Sequence, residues 1–276
     1  MSQYSHPETL VDTQWLSEHL HDPQIRIIEM GLNSQLYDEG HIPGAIFWRF
    51  TAPLLPDFRT NFNVTAIEQL LGSLSISNDT VIVLVHRETP SSGWIFWLLK
   101  VFRHPDVRIL NGGVQKWLED GYFLTTKKEV VTPTKYSIKN LDESLRIPLQ
   151  EVRDSIAKGD RVLLDVRTPQ EYQGELYLLE PPQENERAGH IPGAINLYYE
   201  LAHDDDGTFK SFSELKKIFQ EAGVTPDKLI IPYCAVGARS GHIWFILKYL
   251  LGYPLVKNYD GSWNEWSRLP DSLVEK

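Results

Sequence analysis

The chain of 276 residues has a single cysteine, Cys234, so it cannot form an intramolecular disulfide. Such sparing use of cysteine is typical of a reducing compartment, and we expect the protein in the cytoplasm. Long apolar runs are missing too: the longest, residues 94–102, is interrupted by Lys100 and is far shorter than the roughly 18 residues that a membrane span needs. The N-terminal residues combine no basic segment with an apolar one, so we expect no secretion signal.

Positive charge is also scarce. The sequence has 27 Lys and Arg residues against 37 Asp and Glu residues, which gives a net charge of −10 at pH 7, and no block of basic residues. This balance argues against nucleic acid or an anionic membrane surface as a partner. An anionic substrate would have to be attracted by local charge, against the field of the whole protein.

Motifs for common cofactors are absent from the sequence. It contains neither the Gly-x-Gly-x-x-Gly pattern of dinucleotide sites nor the Gly-Lys-Ser of phosphate loops. The nine histidines show no ligand spacing, and one cysteine cannot build a thiolate zinc site. The acidic residues 204–206 lack the further spaced ligands of a calcium loop. We therefore expect no metal and no cofactor.

The chain repeats itself. The seven residues GHIPGAI at positions 40–46 recur at 189–195, and residues 110–117 resemble residues 259–266 at the same offset of 149 residues. Because this period is far too long for a solenoid, it indicates two copies of one domain.

Each copy alternates short β-branched runs with helical stretches, which is typical of a parallel sheet covered by helices. We predict an α/β protein with two tandem domains, residues 8–124 and 147–272, joined by a polar linker at 125–146. The second copy carries about thirteen extra residues between Tyr172 and Gly189. We interpret them as a surface segment that reaches the mouth of the site.

Helix starts are indicated by two capping boxes, Thr65 with Glu68 and Ser211 with Glu214. The predicted strands are residues 25–29, 81–85, 107–110, 162–166, 229–233 and 254–258.

Cys234 closes one of these strands and is followed by a small-residue loop, residues 235–238, by Arg239 and by a helix. The carboxyl end of a parallel strand is where α/β proteins bind ligands. Loop amides and the helix N-terminus should favour the thiolate, which is the reactive form. Gly237 suits tight curvature, and Arg239 offers a permanent charge and planar donors to an anion. This setting favours a reactive thiol over the alternative, a small buried hydrophobe.

The two copies differ at this position. Cys234 aligns with His86, and the first copy also carries Pro90, which has no amide proton. A histidine cannot form a persulfide. We therefore expect the first domain to be inactive and to serve as a wall of the cleft.

The GHIPGA repeat, the stretch from Asp165 to Tyr172 and the loop Cys-x-x-Gly-x-Arg-Ser resemble the rhodanese family over nearly the whole chain. The chain is most similar in kind to bacterial two-domain thiosulfate sulfurtransferases. This resemblance implies transfer of the sulfane sulfur of thiosulfate through a persulfide on Cys234 to cyanide or a thiol. The implied partners are a small anionic donor and a thiophilic acceptor.

The resemblance also implies roles for individual residues. Arg187 would contact the anion, as we also expect of Arg239 from its charge. From the residues themselves we expect Asp165 and Arg167 to form an ion pair behind the loop, with a plain surface pair as the alternative, and Ser240 to support the loop. The amides that would hold the persulfide belong to the loop residues Ala235, Val236, Gly237, Ala238 and Arg239.

Two loop positions depart from the family's patterns. Thiosulfate-type loops usually carry a basic residue directly after the cysteine, where this chain has Ala235. Mercaptopyruvate-type loops resemble Cys-Gly-Ser-Gly-Val-Thr, whose serine helps to handle a proton; this chain has Val236 there. The Arg-Ser ending favours thiosulfate, and 3-mercaptopyruvate is the alternative donor.

Two other classes remain open. Cysteine phosphatases separate cysteine from arginine by five residues, but here only four separate Cys234 from Arg239, a spacing that suits a single sulfur atom better. A non-enzymatic module that binds or senses sulfur is the remaining alternative. The retained cysteine, glycine and arginine argue against it.

Overall fold

A computed structural model describes residues 4–87, 92–156, 158–177 and 180–276. They form two parallel sheets flanked by helices, which confirms the predicted α/β fold with two similar domains. No helix in these ranges combines the length and the apolar character that crossing a bilayer requires.

All strand pairs within the two sheets are parallel. The first sheet has the order β1-β5-β4-β2-β3 and the second has the order β7-β6-β8. The strands of the first sheet are β1 (Leu10–Val11), β2 (Ile25–Gly31), β3 (Ala45–Arg49), β4 (Val81–His86) and β5 (Val107–Leu110). Those of the second are β6 (Arg161–Asp165), β7 (Ile195–Asn196) and β8 (Leu229–Tyr233).

In the described ranges ten α-helices cover the sheets, and three short 3-10 turns, at Pro7–Thr9, Glu143–Leu145 and Tyr199–Ala202, connect elements. The helices are α1 (Thr13–Glu18), α2 (Gln35–Glu39), α3 (Val64–Ser73), α4 (Ser92–Val101), α5 (Gly113–Glu119), α6 (Leu149–Arg153), α7 (Pro169–Gln173), α8 (Phe212–Glu221), α9 (Ala238–Phe245) and α10 (Ser262–Trp266). Helix α9 continues as one π-turn, Ile246–Leu250.

The predicted strand at 254–258 is wrong. These residues lie beside β8 and share some of its ladder: the amide of Lys257 donates to Ile230 and that of Tyr259 to Pro232, at 3.0 and 3.1 Å. Between these two bonds Pro232 has no amide proton to donate, so the ladder is interrupted and leaves only isolated bridges.

One of the two predicted helix starts is also wrong. The capping box at Ser211 is present at the start of α8. Thr65 does not cap α3, because Asn63 lies at the N-cap and its side chain accepts the hydrogen bond. Glu68 instead accepts a hydrogen bond, 2.7 Å long, from the backbone amide of Ile138, which lies in the segment that joins the two domains.

The two domains meet along α4 and α9, which are equivalent helices of the repeat. They cross at Gly93 and Gly241: a Cβ on Gly93 would lie 2.8 Å from the Cα of His242, and one on Gly241 would lie 3.1 Å from that of Trp94. This close approach buries one apolar core that contains residues of both domains. Five tryptophans are fully buried, Trp94, Trp97, Trp244, Trp263 and Trp266.

Candidate active site

Cys234 lies directly after β8 and is only 1% exposed. Both of its backbone groups are held by the start of α10. The Cys234 amide donates to the hydroxyl of Ser262 at 3.0 Å, and the amide of Trp263 donates to the Cys234 carbonyl at 3.0 Å. The end of the strand, and with it the thiol, is therefore fixed in place.

The loop after the cysteine turns back at Gly237, where φ is +89°. A Cβ at this position would lie 2.6 Å from the carbonyl oxygen of Asp260, so only glycine fits. The Gly237 amide donates to the Cys234 sulfur at 3.2 Å. The Gly237 carbonyl accepts hydrogen bonds from the Ser240 hydroxyl at 3.1 Å and from the side-chain amide of Asn258 at 3.3 Å. Ser240 thus supports the loop from behind.

Within the described part of the chain, four backbone amides of the loop and of the first turn of α9 find no hydrogen-bond acceptor, those of Ala235, Val236, Ala238 and Arg239. Backbone amides without a partner bind anions well, and the N-terminus of α9 adds partial positive charge. The arrangement can stabilise a negatively charged sulfur, either a thiolate or a persulfide.

Asp165 and Arg167 form an ion pair behind this loop. Their closest atoms, Nη2 and Oδ2, are 2.6 Å apart, and both side chains are fully buried. Arg167 also donates to the carbonyl of Gly189 at 2.7 Å, and its guanidinium lies 4.7 Å from the ring centre of Trp263. Burial alone would lower the pKa of Arg167, but the charge of Asp165 and its hydrogen bonds outweigh burial and raise it. The pair thus connects the end of β6 to the GHIPGAI segment of the second domain.

The first domain also pairs a buried acid with an arginine, but this arginine comes from a different place in the chain. Strand pairing places Glu29 where the second domain has Asp165, and Glu29 is also buried. Its arginine partner is Arg87, which follows β4, and the Nε of Arg87 donates to Glu29 at 2.8 Å. Arg87 also donates to the carbonyl of Gly40, as Arg167 does in the second domain. In the two domains, the arginine that pairs with the buried acid thus comes from two different loops.

Arg239, in the first turn of α9, is paired with a carboxylate of the second domain. It makes a bidentate ion pair with Glu171, with N···O distances of 2.7 and 2.8 Å. Burial lowers the pKa of Arg239, but its hydrogen bonds to Glu171 and the electrostatic effect of the nearby Cys234 outweigh burial and raise that pKa. Two of its donor nitrogens thus already bind a carboxylate, and the anion contact expected of Arg239 stays a prediction.

Sequence reasoning assigned no role to Glu171, which is fully buried. A local signal was present, because Thr168 and Glu171 form a capping box at the start of α7. No local pattern indicates that the same carboxylate also binds Arg239, 68 residues away in the chain.

Arg187 is also engaged. Its guanidinium donates to the carbonyls of Leu269 and Ser272, near the C-terminus, and the anion contact expected of it stays a prediction. Arg187 ends the segment that distinguishes the second domain; residues 178 and 179 of this segment lie outside the described residues. The reach of this segment to the mouth of the site stays a prediction.

The first domain has a neutral imidazole where the second has its thiol. His86 is buried, and burial lowers its pKa to about 3, with a smaller contribution from His203. Its Nδ1 lies 3.2 Å from the hydroxyl of Ser92. Residues 88–91 of the loop that follows, including Pro90, lie outside the described residues. Over the ranges that the structure describes, no group of three or more His, Cys, Asp or Glu residues is placed to hold a metal ion.

Comparison with known proteins agrees with this geometry. The model of the rhodanese-like domain matches the chain twice, at residues 12–120 and 148–269, and the chain belongs to the rhodanese family. Both matches lie within the two predicted domains, whose ends stay a prediction.

Curated relatives match along almost the whole length. The chain is 47% identical to the "Sulfur carrier protein TtuD" of Thermus thermophilus, over 99% of this chain and 98% of the relative. It is 42% identical to a "Putative thiosulfate sulfurtransferase" of Saccharopolyspora erythraea, over 98% and 97%. Among solved structures, the wild-type enzyme EanB is 24% identical with a TM-score of 0.89, covering all of this chain and 71% of EanB. That likeness shows the fold alone. The chain is thus a two-domain rhodanese and a sulfurtransferase in the broad sense.

Proposed function

We propose that the protein transfers the sulfane sulfur of thiosulfate to a thiophilic acceptor through a persulfide on Cys234. The observation that carries this proposal is the amide of Gly237, 3.2 Å from the Cys234 sulfur, in a loop whose neighbouring amides lack partners. The names of the relatives, a sulfur carrier and a thiosulfate sulfurtransferase, support the same chemistry.

In the first step the Cys234 thiolate attacks the outer sulfur of thiosulfate. A new S–S bond forms, the bond between the two thiosulfate sulfurs breaks, and sulfite leaves with the electron pair. The persulfide then carries the negative charge, and the free loop amides stabilise it. In the second step cyanide or a thiolate attacks the outer sulfur and restores the Cys234 thiolate. The cycle needs no metal or redox cofactor, and we propose that it operates in the cytoplasm.

The loop favours thiosulfate as the donor. Sulfite leaves without a proton, whereas mercaptopyruvate benefits from a proton delivered to its departing enolate. Val236 occupies the position where a hydroxyl could deliver that proton, and it is half-buried. Because Arg187 and Arg239 are occupied, the donor dianion depends on the loop amides for binding, and we expect moderate rates.

We therefore expect a higher kcat/KM with thiosulfate than with 3-mercaptopyruvate. Val236→Ser should raise mercaptopyruvate activity more than thiosulfate activity, and Ala235→Arg should do the reverse. Cyanide-dependent turnover and sulfur loading by intact mass are measured with both donors. A tenfold preference of the unmodified protein for mercaptopyruvate would overturn the donor assignment. Loading without turnover would indicate a carrier instead of an enzyme.

Glu171→Gln tests what Arg239 does. If Arg239 serves to fix the first turn of α9 against α7, weakening its ion pair disturbs the loop. We then expect kcat/KM for thiosulfate to fall about tenfold, since hydrogen bonds to charged groups contribute roughly 1.5–3 kcal/mol. An arginine that binds the donor would instead be released by the substitution, and kcat/KM would rise. Glu175→Gln, at an exposed position near the end of the same helix, is the control and should behave like the parent.

A further inference from the structure

Two hairpins, related by the repeat, follow the edge strands of the two sheets. The first is closed by an antiparallel bridge between Leu54 and Thr60, and the second by one between His203 and Phe209. The two bridges are 149 residues apart in the sequence, the same offset as in the GHIPGAI repeat.

Each hairpin crosses to the other domain. Gln115 of the first domain donates to the carbonyl of Asp205 in the second hairpin, at 3.0 Å. At the equivalent position of the second domain, Asn264 donates to the carbonyl of Asp57 in the first hairpin, at 2.9 Å. Each hairpin therefore lies at the carboxyl edge of the sheet of the other domain.

The first hairpin consequently lies next to the nucleophile loop. Asn264, which holds Asp57 with its side chain, donates its own backbone amide to the carbonyl of Ala235 at 2.9 Å. Asn264 is buried and belongs to α10, the helix that also fixes Cys234. A single residue thus connects the hairpin of the first domain to the residue after the cysteine.

The tip of this hairpin has an unusual backbone. Phe58 has φ of +64°, a left-handed conformation that is unfavourable for a bulky side chain. The equivalent residue of the second hairpin is Gly207, with φ of +79°. Despite this strain the position holds a phenylalanine that is 51% exposed, so its ring is not needed to fill the core. A strained, exposed aromatic residue beside a reactive loop is typical of a functional contact.

We propose that Phe58 forms the apolar side of the mouth of the Cys234 site and favours acceptor thiols that carry an apolar or aromatic group. This assignment rests on the proposed function for its acceptor, but the shape of the mouth can be tested without it. An apolar acceptor would cover the exposed part of the phenyl ring, which gives it an advantage over a small polar thiol.

Phe58→Gly is the informative variant, because glycine adopts this backbone conformation readily and the hairpin should keep its fold. Persulfide-loaded protein is mixed with benzyl mercaptan or with 2-mercaptoethanol, and the loss of the extra sulfur is followed by intact mass. We expect the ratio of the two rate constants, benzyl over hydroxyethyl, to fall about fivefold or more in the variant.

A second measurement uses the unloaded thiol. N-benzyl iodoacetamide and iodoacetamide should alkylate Cys234 with a rate ratio that also falls in Phe58→Gly, and the single cysteine makes this readout specific. Phe123→Ala, which removes another exposed phenyl ring of the first domain, is the control and should keep both ratios. Unchanged or raised alkylation ratios in Phe58→Gly would overturn the proposal. Absent sulfur loading with a lowered alkylation ratio would overturn only the proposed function.

Discussion

Cys234→Ser should abolish both sulfur loading and turnover, a loss of roughly a thousandfold or more that is limited by detection. The serine hydroxyl remains protonated at neutral pH and cannot displace sulfite from thiosulfate. The chain has one cysteine, so no second thiol can replace it. Loading is measured by intact mass after incubation with thiosulfate, and turnover by thiocyanate formed from cyanide.

The matched control is His86→Ala, which changes the equivalent position of the first domain. We expect turnover within a few-fold of the parent, because a buried neutral imidazole has no thiol to accept the sulfur. A hundredfold loss in a folded His86→Ala protein would mean that the first domain takes part in catalysis. Turnover that survives Cys234→Ser would refute the persulfide mechanism.

Arg167→Met should destabilise the fold by about 3–5 kcal/mol, measured as the free energy of unfolding in urea. The substitution leaves the carboxylate of Asp165 without its partner in a place with no solvent access, and the carbonyl of Gly189 loses its donor. The double variant with Asp165→Asn should be more stable than the single variant, because it removes the uncompensated charge.

Lys217→Met provides the comparison for this prediction. Lys217 pairs with Glu221 on the exposed face of α8, 3.9 Å apart, with both side chains about two-thirds exposed or more. Exposed pairs contribute little to stability, so the free energy of unfolding should hardly change. Similar losses for Arg167→Met and Lys217→Met would show that the buried pair is not a special element of this fold.

The parts of the structure that the sequence predicted well depend on local patterns. The long strands β2, β4 and β8 are β-branched runs, and the turn at Gly237 follows from one residue type in a short loop. The edge strands β1 and β7 have two residues each, too few for a pattern to be visible. The strand predicted at 254–258 failed because its ladder depends on Pro232, a residue in a different strand.

The site shows the same division. Cys234 and its loop could be identified because nucleophile, turn and helix start are adjacent in the chain. The partner of Arg239 could not, since Glu171 lies in another helix and only the folded chain brings the two together. Knowledge of the fold was therefore needed to see that the arginine of the motif holds a protein carboxylate.

The buried acid of each sheet takes its arginine from a different place, Arg87 after β4 in one domain and Arg167 after β6 in the other. If both halves descend from one ancestral domain, two linked substitutions separate them, since a half with both arginines or neither would hold an unbalanced charge in its core. In the second half the nucleophile loop does not neutralise the buried acid, so the residue directly after the cysteine can be as small as Ala235. A cysteine placed at the equivalent position of the first half could not be followed by a small residue, because Glu29 would still need Arg87.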